Sequence, residues 1–197
     1  MKQIILASTS PRRKELLKKI GIKFKAVNNG YEEDLTLPKK PKDLVKFLSF
    51  GKAKSVSEKY KNSLIISGDT IVVYNNKVLG KPKTKKQAKE FLQMLSGKTH
   101  SVITACTVMD TESGKEITWD TETKISMKNL SNCQIDKYIS TGEPMDKAGA
   151  YAIQGLGAVF ITKICGDYFA TVGLPICKLV EELKEFGVDV TKQKTSH

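Results

Sequence analysis

The feature that most limits what this chain can fold into is a short apolar run that gives way at once to a helical pattern. Ile4-Ile5-Leu6-Ala7 stops at Ser8-Thr9-Ser10-Pro11, and Leu16, Leu17 and Ile20 then recur at helical spacing up to Gly21. Ser10 is placed to cap that helix, because its hydroxyl oxygen can accept from an N–H of the first turn. Pro11 suits the first helical position, where its missing N–H costs nothing. Arg12-Arg13-Lys14 is the odd part. A helix N-terminus already carries partial positive charge, so three cations there are unfavourable unless an anion joins them. Strand, polar loop, helix start and clustered guanidinium groups together suit phosphate. Three solvated surface charges are the alternative.

The charge of the whole chain points the same way. Its net charge is +12, and residues 1–98 hold 23 Lys and Arg against 8 Asp and Glu, while residues 99–197 hold 10 against 13. A basic half attracts polyanions, whether nucleic acid, acidic lipid or nucleotides. Much of the excess is lysine in helical stretches, which also reads as a solvated face. No zinc-finger, GXXG or RNA-recognition aromatic pattern is present. A length of 197 residues suits one domain or one with a modest lobe, and 40% apolar residues can supply a core. No apolar run reaches the length of a membrane span, and residues 4–7 are too few for a signal peptide. Cys106, Cys133, Cys165 and Cys177 form no Cys-x-x-Cys pair, so reduced, buried thiols in a cytoplasmic protein are expected.

Taken in order, the pattern predicts a strand at 3–7, a helix at 11–20, a short strand at 22–27 and a turn at 28–30. Glu32-Glu33-Asp34 follows, either a solvated loop or a place for a hard cation. A helix over 42–60 carries Leu44, Val45, Leu48, Ala53 and Val56 on one face. Lys52 and Lys54 must then point to different sides. Leu64 to Ser67 reads as a short buried strand ending in the turn Gly68-Asp69-Thr70, with a second run over 71–74. An Asp at such a strand end is a frequent catalytic or metal-binding position in α/β folds, and equally a turn cap. A hairpin through Asn75-Asn76 would bring Asp69 and Lys81 to one end of a ribbon. Thr84 caps a helix ending at Gly97, 102–109 and 116–127 form a hairpin, and Ser131 with Gln134 makes a capping box. The small-residue segment 143–157 suits close backbone approach to a ligand. A strand over 158–164 and a last helix from Pro175 to Phe186 complete an α/β pattern with a mixed sheet.

Four blocks of this chain resemble one family. Ser8-Thr9-Ser10-Pro11-Arg12-Arg13, Gly68-Asp69-Thr70, Gly80-Lys81-Pro82 and Asp146-Lys147-Ala148-Gly149-Ala150-Tyr151-Ala152-Ile153-Gln154-Gly155 are similar, in order and spacing, to the Maf nucleoside triphosphate pyrophosphatases. The resemblance runs from residue 3 to about 175. It implies an ITPase-like α/β fold, a mixed twisted sheet with flanking helices and two lobes around a central cleft. It implies one such domain over residues 1–190, followed by a frayed tail at 191–197. It also implies hydrolysis of a nucleoside triphosphate to the monophosphate and pyrophosphate with a divalent metal, Mg2+ or Mn2+. By motif match Asp69 is the catalytic acidic residue, the proton acceptor, and Asp69 with Glu33 would bind the metal. Ser8, Arg13, Lys52 and Lys81 would hold the phosphates. Arg12, Thr70 and Gln154 match specificity positions of the branch acting on dTTP and UTP, with a modified pyrimidine nucleotide as a further candidate substrate. The expected partner is the nucleotide, with no obligate nucleic acid, no membrane, and a homodimer left open. The rival readings are a non-enzymatic nucleic-acid binder and a regulator of septum formation and cell-division arrest.

Overall fold

The computed structural model describes residues 2–190; the tail expected at 191–197 lies outside the described residues. The elements alternate as expected of an α/β chain. They are β1 (Gln3–Leu6), α1 (Pro11–Lys19), β2 (Lys25–Ala26), α2 (Pro41–Ser57), β3 (Ser63–Tyr74), β4 (Lys77–Leu79), α3 (Lys85–Leu95), β5 (Thr99–Asp110), β6 (Glu116–Met127), α4 (Asn132–Ser140), β7 (Ile161–Cys165), α5 (Tyr168–Val172) and α6 (Ile176–Lys184). The strands join in the order β2-β1-β3-β5-β6-β7, with β4 paired to β3. The sheet is mixed: β1 is parallel to both β2 and β3, whereas β4 is antiparallel to β3 and β7 to β6.

The chain divides into two compact units. Of the described residues, the first takes 2–69, 104–121 and 173–190; the second takes 70–103 and 122–172.

In the first unit the parallel pairing of β1 with β3 sets Leu6 beside Ile66, and the Ala7 N–H donates to the Ile66 carbonyl at 2.8 Å. β1 ends at Leu6 while β3 runs on, so this register sets the Ser8 loop alongside the part of β3 that carries Asp69. α2 buries Leu44, Val45, Leu48, Ser49, Lys52, Ala53 and Val56, a single helical face in which a lysine occupies an apolar position. Ala53 and Val56 pack against Ile5, Ala7, Ile65 and Met109.

The second unit has its own core around Val72, Leu79, Phe91, Leu92, Ile125, Ile135 and Phe160. Its helices begin as their sequences dictate. The Thr84 hydroxyl accepts from the Gln87 N–H, and Ser131 and Gln134 form a reciprocal capping box. His100 lies buried there with Nε2 at 2.7 Å from the Tyr151 hydroxyl, and its Nδ1 has no partner.

Four local expectations change. β3 runs unbroken through Gly68-Asp69-Thr70, so Asp69 lies inside a 12-residue strand and not at a strand end. The Ser10 side chain makes no cap bond; the Ser10 N–H instead donates to the Ser8 hydroxyl at 3.2 Å. A 3-10 turn over 156–160 takes in the first three residues of the strand expected at 158–164, and β7 starts at Ile161. Cys106 is buried, but Cys133, Cys165 and Cys177 are exposed, and all four are unpaired.

Burial holds the His100 imidazole down at about 4 against an ordinary 6.5. The unfolded chain therefore binds this proton first, and the stability it supplies is complete above about pH 6.5 and drains away down to about pH 4. Urea unfolding between pH 7 and 4 should show a loss on the order of 3 kcal/mol from this group. The variant His100→Gln should flatten that window, and an unchanged pH slope would rule His100 out as its source.

Candidate active site

The first unit holds six of the nine residues singled out in the sequence: Ser8, Arg12, Arg13, Glu33, Lys52 and Asp69. At the centre Lys52 Nζ donates to Asp69 Oδ1 and also reaches Glu33 Oε1 at 2.7 Å. The Lys52 and Asp69 side chains are 5% and 6% exposed, while Glu33 is 37% exposed. Lys54, two residues along the helix from Lys52, is exposed. The second oxygen of the carboxylate, Asp69 Oδ2, is buried without a hydrogen-bond partner. Native interiors rarely leave such an atom unsatisfied, which sets Asp69 apart from the structural carboxylates of the fold.

Three devices bring these charges together. The first is a string of buried hydroxyls. Ser49 Oγ lies 3.2 Å from Ser67 Oγ and 3.0 Å from Thr107 Oγ1, and Ser67 Oγ donates to the Ser49 carbonyl at 2.7 Å. Ser49 is one helical turn before Lys52 on α2, and Ser67 shares a face of β3 with Asp69. The hydroxyls thus lock the register of the two elements that carry the ion pair. The second is the loop that brings in Glu33. Asn29 donates to the Ala7 carbonyl at 3.0 Å, and Ser55 Oγ donates to the Asn29 carbonyl at 2.9 Å. The Tyr31 ring lies over Gly51, where a Cβ would come within 2.5 Å of it. The third is Gly68. A Cβ there would meet the Ala105 carbonyl at 3.2 Å and Arg13 Nε at 3.3 Å, so the glycine gives room to the backbone and the guanidinium, not to a turn.

Arg13 is fixed at two donors. Nε donates to the Gly173 carbonyl at 2.9 Å, and Nη1 to the Ser8 hydroxyl at 3.3 Å. Burial disfavours the Arg13 charge most, while Asp69 and Glu33 act to keep it. Burial likewise pushes the Cys106 thiol up to about 12, which leaves it protonated and inert beside Arg13. The helix start of α1, with Pro11 at its first position and Arg12 and Arg13 following, thus faces acidic groups of its own unit.

The remaining candidates, Thr70, Lys81 and Gln154, belong to the second unit. β4 pairs Leu79 with Val72, so Lys81 emerges from the hairpin on the Thr70 side. Lys81 and Gln154 are exposed. Among the described residues no group of three or more His, Cys, Asp and Glu gathers to hold a metal. Asp69 and Glu33, joined through one ammonium and with Asp69 Oδ2 unpartnered, are the pair whose hard oxygens fit Mg2+ or Mn2+; such ions take one or two carboxylates plus phosphate oxygens.

A sequence profile of the family described as Maf-like protein matches residues 3–186. A dTTP/UTP pyrophosphatase of Bacillus cereus is 46% identical over 191 residues, covering 97% of this chain and 99% of its own length. The protein of the same name in Bacillus cytotoxicus is 48% identical over 186 residues, covering 94% and 96%. That of Bacillus anthracis is 45% identical over 191 residues, covering 97% and 99%.

The ion pair has a measurable signature. Removing one partner of a buried pair leaves a desolvated charge, so Lys52→Met should cost about 3–5 kcal/mol in urea unfolding at pH 7. The double variant Lys52→Met/Asp69→Leu should recover part of that loss, because the carboxylate stripped of its ammonium partner is then gone as well. A double variant less stable than Lys52→Met alone would contradict the buried-pair geometry.

Proposed function

The chain belongs to the Maf family, and on that premise we propose that it hydrolyses dTTP and UTP to the monophosphate and pyrophosphate, with Asp69 managing the attacking water. The observation that carries this reading is the buried Asp69 carboxylate, held by Lys52 through one oxygen while the other has no partner. One oxygen fixes the orientation and the second accepts a proton. The oxygen of water bonds to the α-phosphorus, the bond from that phosphorus to the bridging oxygen breaks, and pyrophosphate leaves with the electron pair. The water proton passes to Asp69 Oδ2.

Phosphoryl chemistry of this kind depends on positioning and on neutralising oxygen charge. Arg13 is suited to that work, since its contacts with Gly173 and Ser8 set the plane of the guanidinium before substrate arrives. Lys52 supplies charge from within, and Lys81 is assigned to the phosphates by its Gly80-Lys81-Pro82 block. Asp69 and Glu33 would hold a divalent cation, Mg2+ or Mn2+, which supplies further neutralisation at the reacting phosphate. Arg12, Thr70 and Gln154 are assigned to the choice of base, where polar groups left unmatched by a wrong base give the discrimination.

The partner in this reading is a nucleotide; the exposed lysines serve as solvated surface, and no nucleic acid is required. No helix among the described residues is long and apolar enough to cross a membrane. Four unpaired thiols suit a reducing, cytoplasmic setting. A homodimer is part of the proposal, supported by the exposed apolar side chains Leu156, Val159, Ile164 and Tyr168 in and around β7 and the 3-10 turn before it.

Pyrophosphate release should be followed over a nucleotide panel with and without Mg2+ or Mn2+. Asp69→Asn should lower turnover of UTP on the order of 10³-fold while nucleotide affinity changes little. Normal turnover by that variant would end the role given to Asp69. Arg12→Ala and Gln154→Ala should alter the ranking of bases more than the rate on the best one, and an unchanged ranking would remove both from base selection.

A further inference from the structure

Gln154 lies on an exposed, irregular stretch, yet the backbone on both sides of it is anchored to the same two side chains. Glu143 Oε2 accepts from the Leu156 N–H at 3.0 Å, and Glu143 Oε1 accepts from the Gly157 N–H at 3.0 Å. Tyr138 donates its hydroxyl to Glu143 Oε1 at 2.8 Å, and the Tyr138 oxygen accepts from the Ala152 N–H at 3.1 Å. Anchored N–H groups thus stand two residues before Gln154 and two and three residues after it. Tyr138 is itself held in the core, with its ring edge-to-face on Phe160 at 5.0 Å.

The glycines of this stretch are explained by the same clamp. A Cβ at Gly155 would lie 2.5 Å from Glu143 Oε2, and one at Gly157 would lie 2.6 Å from the Tyr138 hydroxyl and 2.8 Å from the Ala152 carbonyl. Small residues let the backbone close onto the carboxylate and the phenol. Burial opposes the Glu143 charge most, but the Gly157 and Leu156 N–H groups and the Tyr138 hydroxyl outweigh it and hold its pKa below the usual range. Burial and the Glu143 charge raise the Tyr138 pKa, so the phenol stays a donor.

We propose that Glu143, with Tyr138, is a positioning residue for base selection: the pair clamps the 152–157 backbone so that Gln154 is presented in one conformation. The inference rests on the assignment of Gln154 to the base. Neither Glu143 nor Tyr138 needs to touch the nucleotide. Their effect passes through the order they impose on Gln154, whose side chain then loses less freedom on binding.

The test is a set of steady-state measurements on the full chain with dTTP, UTP, dCTP and GTP as probes. The proteins compared are wild type, Glu143→Gln, Tyr138→Phe, Gln154→Ala and the double variant Glu143→Gln/Gln154→Ala. Gln at 143 places an amide N–H where one backbone N–H needs an acceptor. Loss of about one hydrogen bond should raise KM for UTP and dTTP about tenfold with little change in kcat, and narrow discrimination against dCTP alike. Tyr138→Phe keeps the ring and its packing on Phe160, and should give a smaller shift in the same direction. In the double variant the base ranking should match that of Gln154→Ala, because a residue acting only through Gln154 has nothing left to act on. Additive effects, or a Glu143→Gln protein that loses thermal stability with KM and ranking intact, would overturn the positioning role while leaving Gln154 in place. An unchanged ranking in Gln154→Ala itself would overturn the base assignment and this inference with it, a pattern distinct from either.

Discussion

The buried pair of Lys52 and Asp69 is the interaction around which the first unit is built. Two charges are taken out of water there, and their mutual attraction offsets the cost only if the geometry is held. The surrounding structure meets that demand. α2 presents Lys52 on its apolar face, β3 presents Asp69 beside the β1 loop, and the Ser49, Ser67 and Thr107 hydroxyls fix one element against the other. An apolar pair of the same volume would serve stability as well or better, so the charges are most simply explained by chemistry done with them.

The anion logic of the α1 N-terminus follows from the same constraint. Arg12 and Arg13 sit where a helix end disfavours cations, and Arg13 is partly buried as well. Two acidic groups, Asp69 and Glu33, and the Ser8 hydroxyl offset part of that burden. In the proposed reading a nucleoside triphosphate brings the remaining negative charge. On that reading one unit can hold both an unsatisfied carboxylate oxygen and a desolvated guanidinium.

Local signals were legible where the cause is local. The Thr84 cap, the Ser131 capping box, the α2 face and the β5–β6 hairpin all follow from neighbours within a few residues, and the structure has them. Gly68 misled because its reason is remote: it reads as a turn residue, but it is needed where Ala105 and Arg13 crowd the strand. Ser10 misled for a related reason, since the hydroxyl used at this helix start is that of Ser8, which accepts from the Ser10 N–H ahead of the helix and from the Arg13 side chain. The site hydroxyls left a faint trace, a serine at position 49 and another at 67 in otherwise apolar, core-facing patterns. Glu143 left none, because nothing in its neighbourhood of sequence reveals that its partners are backbone N–H groups beyond residue 150.

In the proposed reaction water attacks the α-phosphorus of a pyrimidine nucleoside triphosphate and pyrophosphate departs whole. Hydrolysis of UTP in 18O-labelled water, read by mass spectrometry of both products, distinguishes this from attack elsewhere on the triphosphate. One labelled oxygen in the monophosphate and none in the pyrophosphate is the expected result. Label in pyrophosphate, or release of orthophosphate in its place, would contradict it.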